Sequence, residues 1–141
     1  MSTTWTALFT VAGAPTGWTE DEMILATPEC RTMLERLADD LRASGRAFGE
    51  AFDEGHGWDA VEQLHDEAKV LEARLVVAPG EDPDQPCLWR VVVGLDLGFW
   101  GATRQRRRAM LIKLAKDVDA ACRRIGGSDI VWENGDLAAP R

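Results

Sequence analysis

Apolar residues alternate with threonines near the start of the chain. Over 4–12, Trp5, Ala7, Phe9 and Val11 fall on one side and Thr4, Thr6 and Thr10 largely on the other, which is the period of a half-buried strand. Gly13, Pro15 and Gly17 end it. Thr19 and Glu22 stand at capping-box spacing before Met23, Ile24 and Leu25, so a short helical turn is expected there. Thr27 then offers an N-cap and Pro28 a first helical residue. Leu34, Leu37, Ala38 and Leu41 recur at helical spacing until Gly45 supplies a stop.

The four glycines of 45–57 and the lack of a long apolar run predict a loop, followed by a short helix over 58–66. Leu71, Ala73, Leu75 and Val77 alternate with charged residues, and so do Trp89, Val91, Val93, Leu95 and Leu97. These two strands flank the polar, turn-rich stretch 79–86, which closes an antiparallel hairpin. A second helix runs from Gly101 and Thr103 to about Ile125, with Leu111, Leu114, Ala115, Val118 and Cys122 as its apolar stripe. Ile130 to Trp132 form a last short strand, and 134–141 a polar tail.

That order is strand, helix, strand, strand, helix, strand. The expected fold is therefore α+β: a ferredoxin-like βαββαβ sandwich, one domain over 1–141, with a four-stranded antiparallel sheet and both helices on one face. At 141 residues, 45% hydrophobic and 28% charged, the chain can bury a core without staples. Cys30, Cys87 and Cys122 are widely spaced and form no C-x-x-C pair, so a disulfide framework is not expected and a reduced, cytoplasmic protein is. No apolar run approaches the ~20 residues that span a bilayer.

Charge alters the picture more than any motif does. A net charge of -8 disfavours nucleic acid and anionic membranes as partners. The second helix nevertheless holds eight basic residues against Asp117 and Asp119, and Arg104, Arg106, Arg107 and Arg108 crowd its first turns, where the macrodipole disfavours cations. They need an anion, either the chain's own acids, such as Glu81, Asp82 and Asp84, or an external ligand. Conversely, 47–68 contains no Lys or Arg, but has seven carboxylates with Phe48, Phe52 and Trp58 interleaved.

Catalytic chemistry finds little support. There is no G-x-S-x-G, no phosphate loop, no dinucleotide fingerprint and no Tyr. Glu62 and His65 are spaced to share a helical face, but a single Glu-x-x-His unit is a poor metal site, and neither metal nor cofactor is expected. The leading expectation is a small non-catalytic acidic protein that masks a basic partner, as an immunity protein, antitoxin or phage inhibitor masks a toxin. Its contact residues would be Glu50, Phe52, Asp53, Glu54, Trp58, Asp59, Glu62 and Asp66. The alternative is a small-molecule or anion-binding module, with a small enzyme among its forms, that uses the open sheet face and the arginines at 104–108. Homodimerisation through that open face is a third use.

Overall fold

The computed structural model describes residues 2–133; the tail expected at 134–141 lies outside them. Eight elements follow in the order β1 (Ser2–Val11), α1 (Pro28–Ala43), β2 (Phe52–Asp53), β3 (Trp58–Asp66), β4 (Lys69–Pro79), β5 (Leu88–Asp96), α2 (Gly101–Arg124) and β6 (Gly127–Trp132). The strands form one antiparallel sheet in the order β2-β3-β4-β5-β1-β6. The α+β class stands, but the four-stranded ferredoxin-like sheet does not: the sheet has six strands.

The extra strands come from 45–66, where a loop and a helix were expected. Instead, 58–66 is the nine-residue strand β3, paired along its length with β4. Register explains why its alternation is hidden. Trp58, Ala60, Glu62, Leu64 and Asp66 stand opposite Val77, Leu75, Ala73, Leu71 and Lys69, so Glu62 and Asp66 occupy positions on the helix-covered face that a hydropathy pattern reserves for apolar residues. Two inward carboxylates break the period-2 signal.

Elsewhere local chemistry sets the boundaries as expected. Thr27 Oγ1 accepts from the Cys30 N–H and donates to the Thr16 carbonyl, capping α1 while holding the loop before it. Pro28 starts the helix, and Gly45, with φ +104, ends it in a conformation that disfavours side chains. The Thr19 cap does accept from the Glu22 N–H, but the chain there makes only a turn. Cys30, Met33, Leu34, Leu37, Ala38 and Leu41 form the buried stripe of α1.

α1 packs over β3 and β4, and α2 over β5 and β6. Between them and the sheet lies one core, which includes Phe9, Leu37, Leu75, Trp89, Val93 and Leu114. The indole N–H of Trp89 donates to the Ala14 carbonyl at 2.9 Å, so its burial leaves no orphan donor.

β3, bordered on its outer side only by the two-residue β2, is fixed by polar ties as well as by the ladder. Arg46, just past α1, places Nη1 2.8 Å from Glu62 Oε1 and Nε 3.0 Å from Asp117 of α2, while the Ala47 N–H donates to Glu62 Oε2 at 2.7 Å. Both Arg46 and Glu62 are largely buried. Removing one member of a buried pair strands the other charge, whereas replacing both with apolar groups does not. Arg46→Ala should therefore cost about 3 kcal/mol or more, and Arg46→Met with Glu62→Leu should recover much of that loss; urea denaturation of the three proteins measures both effects.

Candidate functional site

The acid-rich segment is divided by the fold into structural and exposed carboxylates. Glu62 belongs to the Arg46 tie. Asp66 is buried and receives Arg106 Nε at 2.7 Å and Arg107 Nε at 2.8 Å. Asp59 is 0% exposed and accepts from Arg74 Nη1 at 3.0 Å. Glu50, Asp53 and Glu54 remain at the surface beside the sheet edge, and none of these three makes an ion pair among the described residues. Trp58 packs against the core under Arg31 of α1, 5.2 Å from the ring centroid, while Phe52 is half-buried beneath Arg74.

The anion required by the arginine cluster is thus Asp66, and not the acids of 79–86. Two guanidinium hydrogen bonds, from Arg106 and then Arg107, hold its carboxyl below the usual value of 3.8. Arg108 lies 5.6 Å from the Trp5 ring centroid, and Arg104 points to the Gly98 carbonyl at 3.4 Å. On a strand, Glu62 and His65 face opposite sides of the sheet, so the paired metal ligands envisaged on a helix are separated. Among the described residues, no group of three His, Cys, Asp or Glu side chains is arranged to hold a metal ion.

On the face away from the helices, Asp59, Val76, Val92 and Thr6 form one row across four strands. Asp59 Oδ1 accepts no hydrogen bond and lies 3.7 Å from His56 Nε2. Burial raises the Asp59 pKa, opposed by His56 and Arg74. The same face bears Arg74, Arg90 and Thr4, so it is mixed rather than continuously apolar.

Both ends of the sheet carry exposed apolar side chains that sequence reasoning passed over. At one end emerge the loop 12–27, the turn 54–57 and the hairpin tip 80–87; the Thr16 N–H donates to the Pro86 carbonyl, tying the first to the third. That end presents Glu20, Asp21, Glu22, Asp53, Glu54, Asp82 and Asp84. Among them Met23 is 76% and Ile24 53% exposed. Met23 also has φ +52, uncommon for a residue with a side chain.

At the opposite end, the β3–β4 turn, the end of β5 and the start of α2 enclose a cleft of about 410 Å³ lined by Asp66, Lys69, Gly98, Phe99, Trp100 and Arg106, among others. Phe99 is 69% and Trp100 82% exposed. In the sequence, Met23-Ile24 and Phe99-Trp100 read as ordinary pieces of apolar runs. Only the Gly98 and Gly101 that bracket the aromatic pair signal that it leaves the sheet before the helix begins.

No protein-family model matches the chain, and no curated protein or solved structure gives a match. Among the described residues, no helix is long and apolar enough to cross a membrane. The three cysteines are free; burial raises the Cys30 thiol and pushes that of Cys122 up to about 12.

Two measurements follow from these environments. Asp66, with its lowered native pKa, contributes stability that is present above the unfolded value and lost as pH falls through the native one. The stability gap between wild type and Asp66→Asn should therefore hold from pH 7 to 5 and narrow below about pH 4. Asp59 has the opposite sign: its raised native pKa favours the folded state at low pH, so Asp59→Asn should gain on wild type as pH rises. Urea titrations across this range test both. In the native protein a thiol reagent should label Cys87, which is half-buried, and reach Cys30 and Cys122 only after unfolding.

Proposed function

We propose that this chain is a non-catalytic protein-binding module whose acidic end takes a basic, partly apolar surface of a partner. The observation behind this reading is the concentration of carboxylates without ion-pair partners around exposed Met23 and Ile24 at one end of the sheet. Carboxylates in such a cluster steer a basic surface toward contact, and apolar side chains among them slow its departure. The contact thereby moves away from Asp59, Glu62 and Asp66, which the fold employs internally, and toward Glu20, Asp21, Glu22, Met23 and Ile24, with Asp53 and Glu54 at its margin.

A partner of the toxin type, masked by an immunity protein or antitoxin, suits this chemistry. Free thiols favour a reducing compartment, so the cytoplasm is the proposed location. The alternative of an anion-binding module draws less support, because Arg106 and Arg107 already share Asp66.

The test is affinity capture from the cells that express the chain, using wild type and a Glu20→Lys, Glu22→Lys, Met23→Ser variant. A basic protein retained by wild type and lost by the variant is the expected result, with an association rate that falls steeply as salt rises. A partner bound with equal kinetics by both proteins would move the contact to another surface, the uncovered sheet face first.

A further inference from the structure

The chain carries at its other end a surface of the kind its acidic end is suited to bind. Phe99 and Trp100 stand exposed beside a cleft, with Val70 also exposed nearby on β4. Lys69, Arg104, Arg106, Arg107 and Arg108 outnumber Asp66, Glu67 and Asp96 at that end, and since Asp66 and Glu67 are met by Arg106 and Arg107, the exposed Lys69, Arg104 and Arg108 carry its surface charge. Of the six exposed large apolar side chains among the described residues, Met23 and Ile24 lie at the acidic end, Val70, Phe99 and Trp100 at the basic one, and Val131 stands alone on β6 opposite Leu8. Contiguous apolar exposure bordered by charge is characteristic of an association surface, and here the borders have opposite signs.

The two surfaces cannot meet within one molecule. They lie at opposite ends of β4 and β5, and nine-residue β5 alone spans about 30 Å. We infer that a second copy of this chain docks its acidic Met23–Ile24 loop against the Phe99–Trp100 cleft of the first, head to tail. This rests on the reading of the acidic end given above and names its partner surface. The cleft offers room for two aliphatic side chains; Trp100 and Phe99 supply flat apolar walls, and Lys69 and Arg104, both exposed, stand ready for the carboxylates of residues 20–22. Because each contact joins unlike ends, every open assembly retains one free end of each kind, so association propagates into open chains or closed rings and does not stop at a symmetric dimer.

The test uses the full chain in three forms: wild type, Trp100→Ser, and the Glu20→Lys, Glu22→Lys, Met23→Ser variant. The substituted side chains are exposed, and circular dichroism and melting curves confirm that each form folds. In sedimentation at low salt, wild type should grow with concentration past twice the 15.5 kDa monomer, and added salt should reverse the growth. Each variant alone should dissociate about tenfold or more readily. Mixed together, the two variants should form a one-to-one complex and nothing larger, since each keeps the end that the other lacks.

A wild type that stays monomeric, or a variant that self-associates as wild type does, overturns the inference. Titration with a lysine- and tryptophan-rich peptide separates that failure from failure of the functional reading. If monomeric wild type binds the peptide and the acidic-end variant does not, the acidic end takes basic partners other than its own copy. If wild type binds neither, both readings fall.

Discussion

The structure depends on arginines reaching the carboxylates of a single strand. Asp59, Glu62 and Asp66 all lie on β3, and each is met by a cation from a different part of the chain: Arg74 on β4, Arg46 after α1, and Arg106 with Arg107 on α2. A strand near the sheet edge with two carboxylates facing the helices would not remain in place on apolar packing alone, because desolvating an unpaired carboxylate costs several kcal/mol. The arginines turn that cost into positional information. Arg46 links the strand to both helices at once, through Glu62 and Asp117, and Asp66 fixes the approach of α2 to the β3–β4 turn. The dense positive charge in the first turns of α2, an oddity of the isolated helix, is the counterpart of the missing base in 47–68.

The limits of the sequence reading have the same origin. β1, α1, β4, β5 and α2 were legible because their inward positions are apolar at the right period and their ends bear Thr27, Pro28, Gly45 and the turn-rich 79–86. β3 was not, since Glu62 and Asp66 occupy inward positions and Val61 an outward one, so neither period dominates. A charge-pair argument could have found it: a segment without a base and a helix start without an acid are complementary. The candidate contact residues divided on the same ground. A carboxylate's solvation depends on a partner 15 or 40 residues away, as with Glu62 and Asp66, and no local pattern reports that.

Once the internal pairs are removed from the count, the remaining surface charge is arranged rather than diffuse. Negative charge gathers where β1 and β4 end and α1 begins, which is also where the α1 dipole is positive. Positive charge gathers where α2 begins, against its dipole, in the exposed Arg104 and Arg108 beside the Asp66 pairs. Apart from Val131 on β6, the exposed large apolar side chains among the described residues are divided between these ends, while the uncovered face of the sheet mixes charged, hydroxyl and branched residues. The proposed contacts accordingly lie at the poles of the molecule rather than on its broad side, a different use of the fold from docking through an open sheet.

The two-residue length of β2 has a consequence for how the chain behaves at high concentration. A sheet whose border strand exposes a long row of unpaired amides and carbonyls invites another chain to extend it, the first step toward fibrils. Here β2 contributes only Phe52 and Asp53, paired with Asp59 and Trp58, and Glu50 and Glu54 flank them; past β2 the border is β3 itself, where the Gly49 N–H donates to the Val61 carbonyl. A foreign strand approaching β2 would meet little ladder and a run of like charge. Part of the acid excess of 47–54 thus guards this corner of the sheet, a service it performs whether or not any partner is bound.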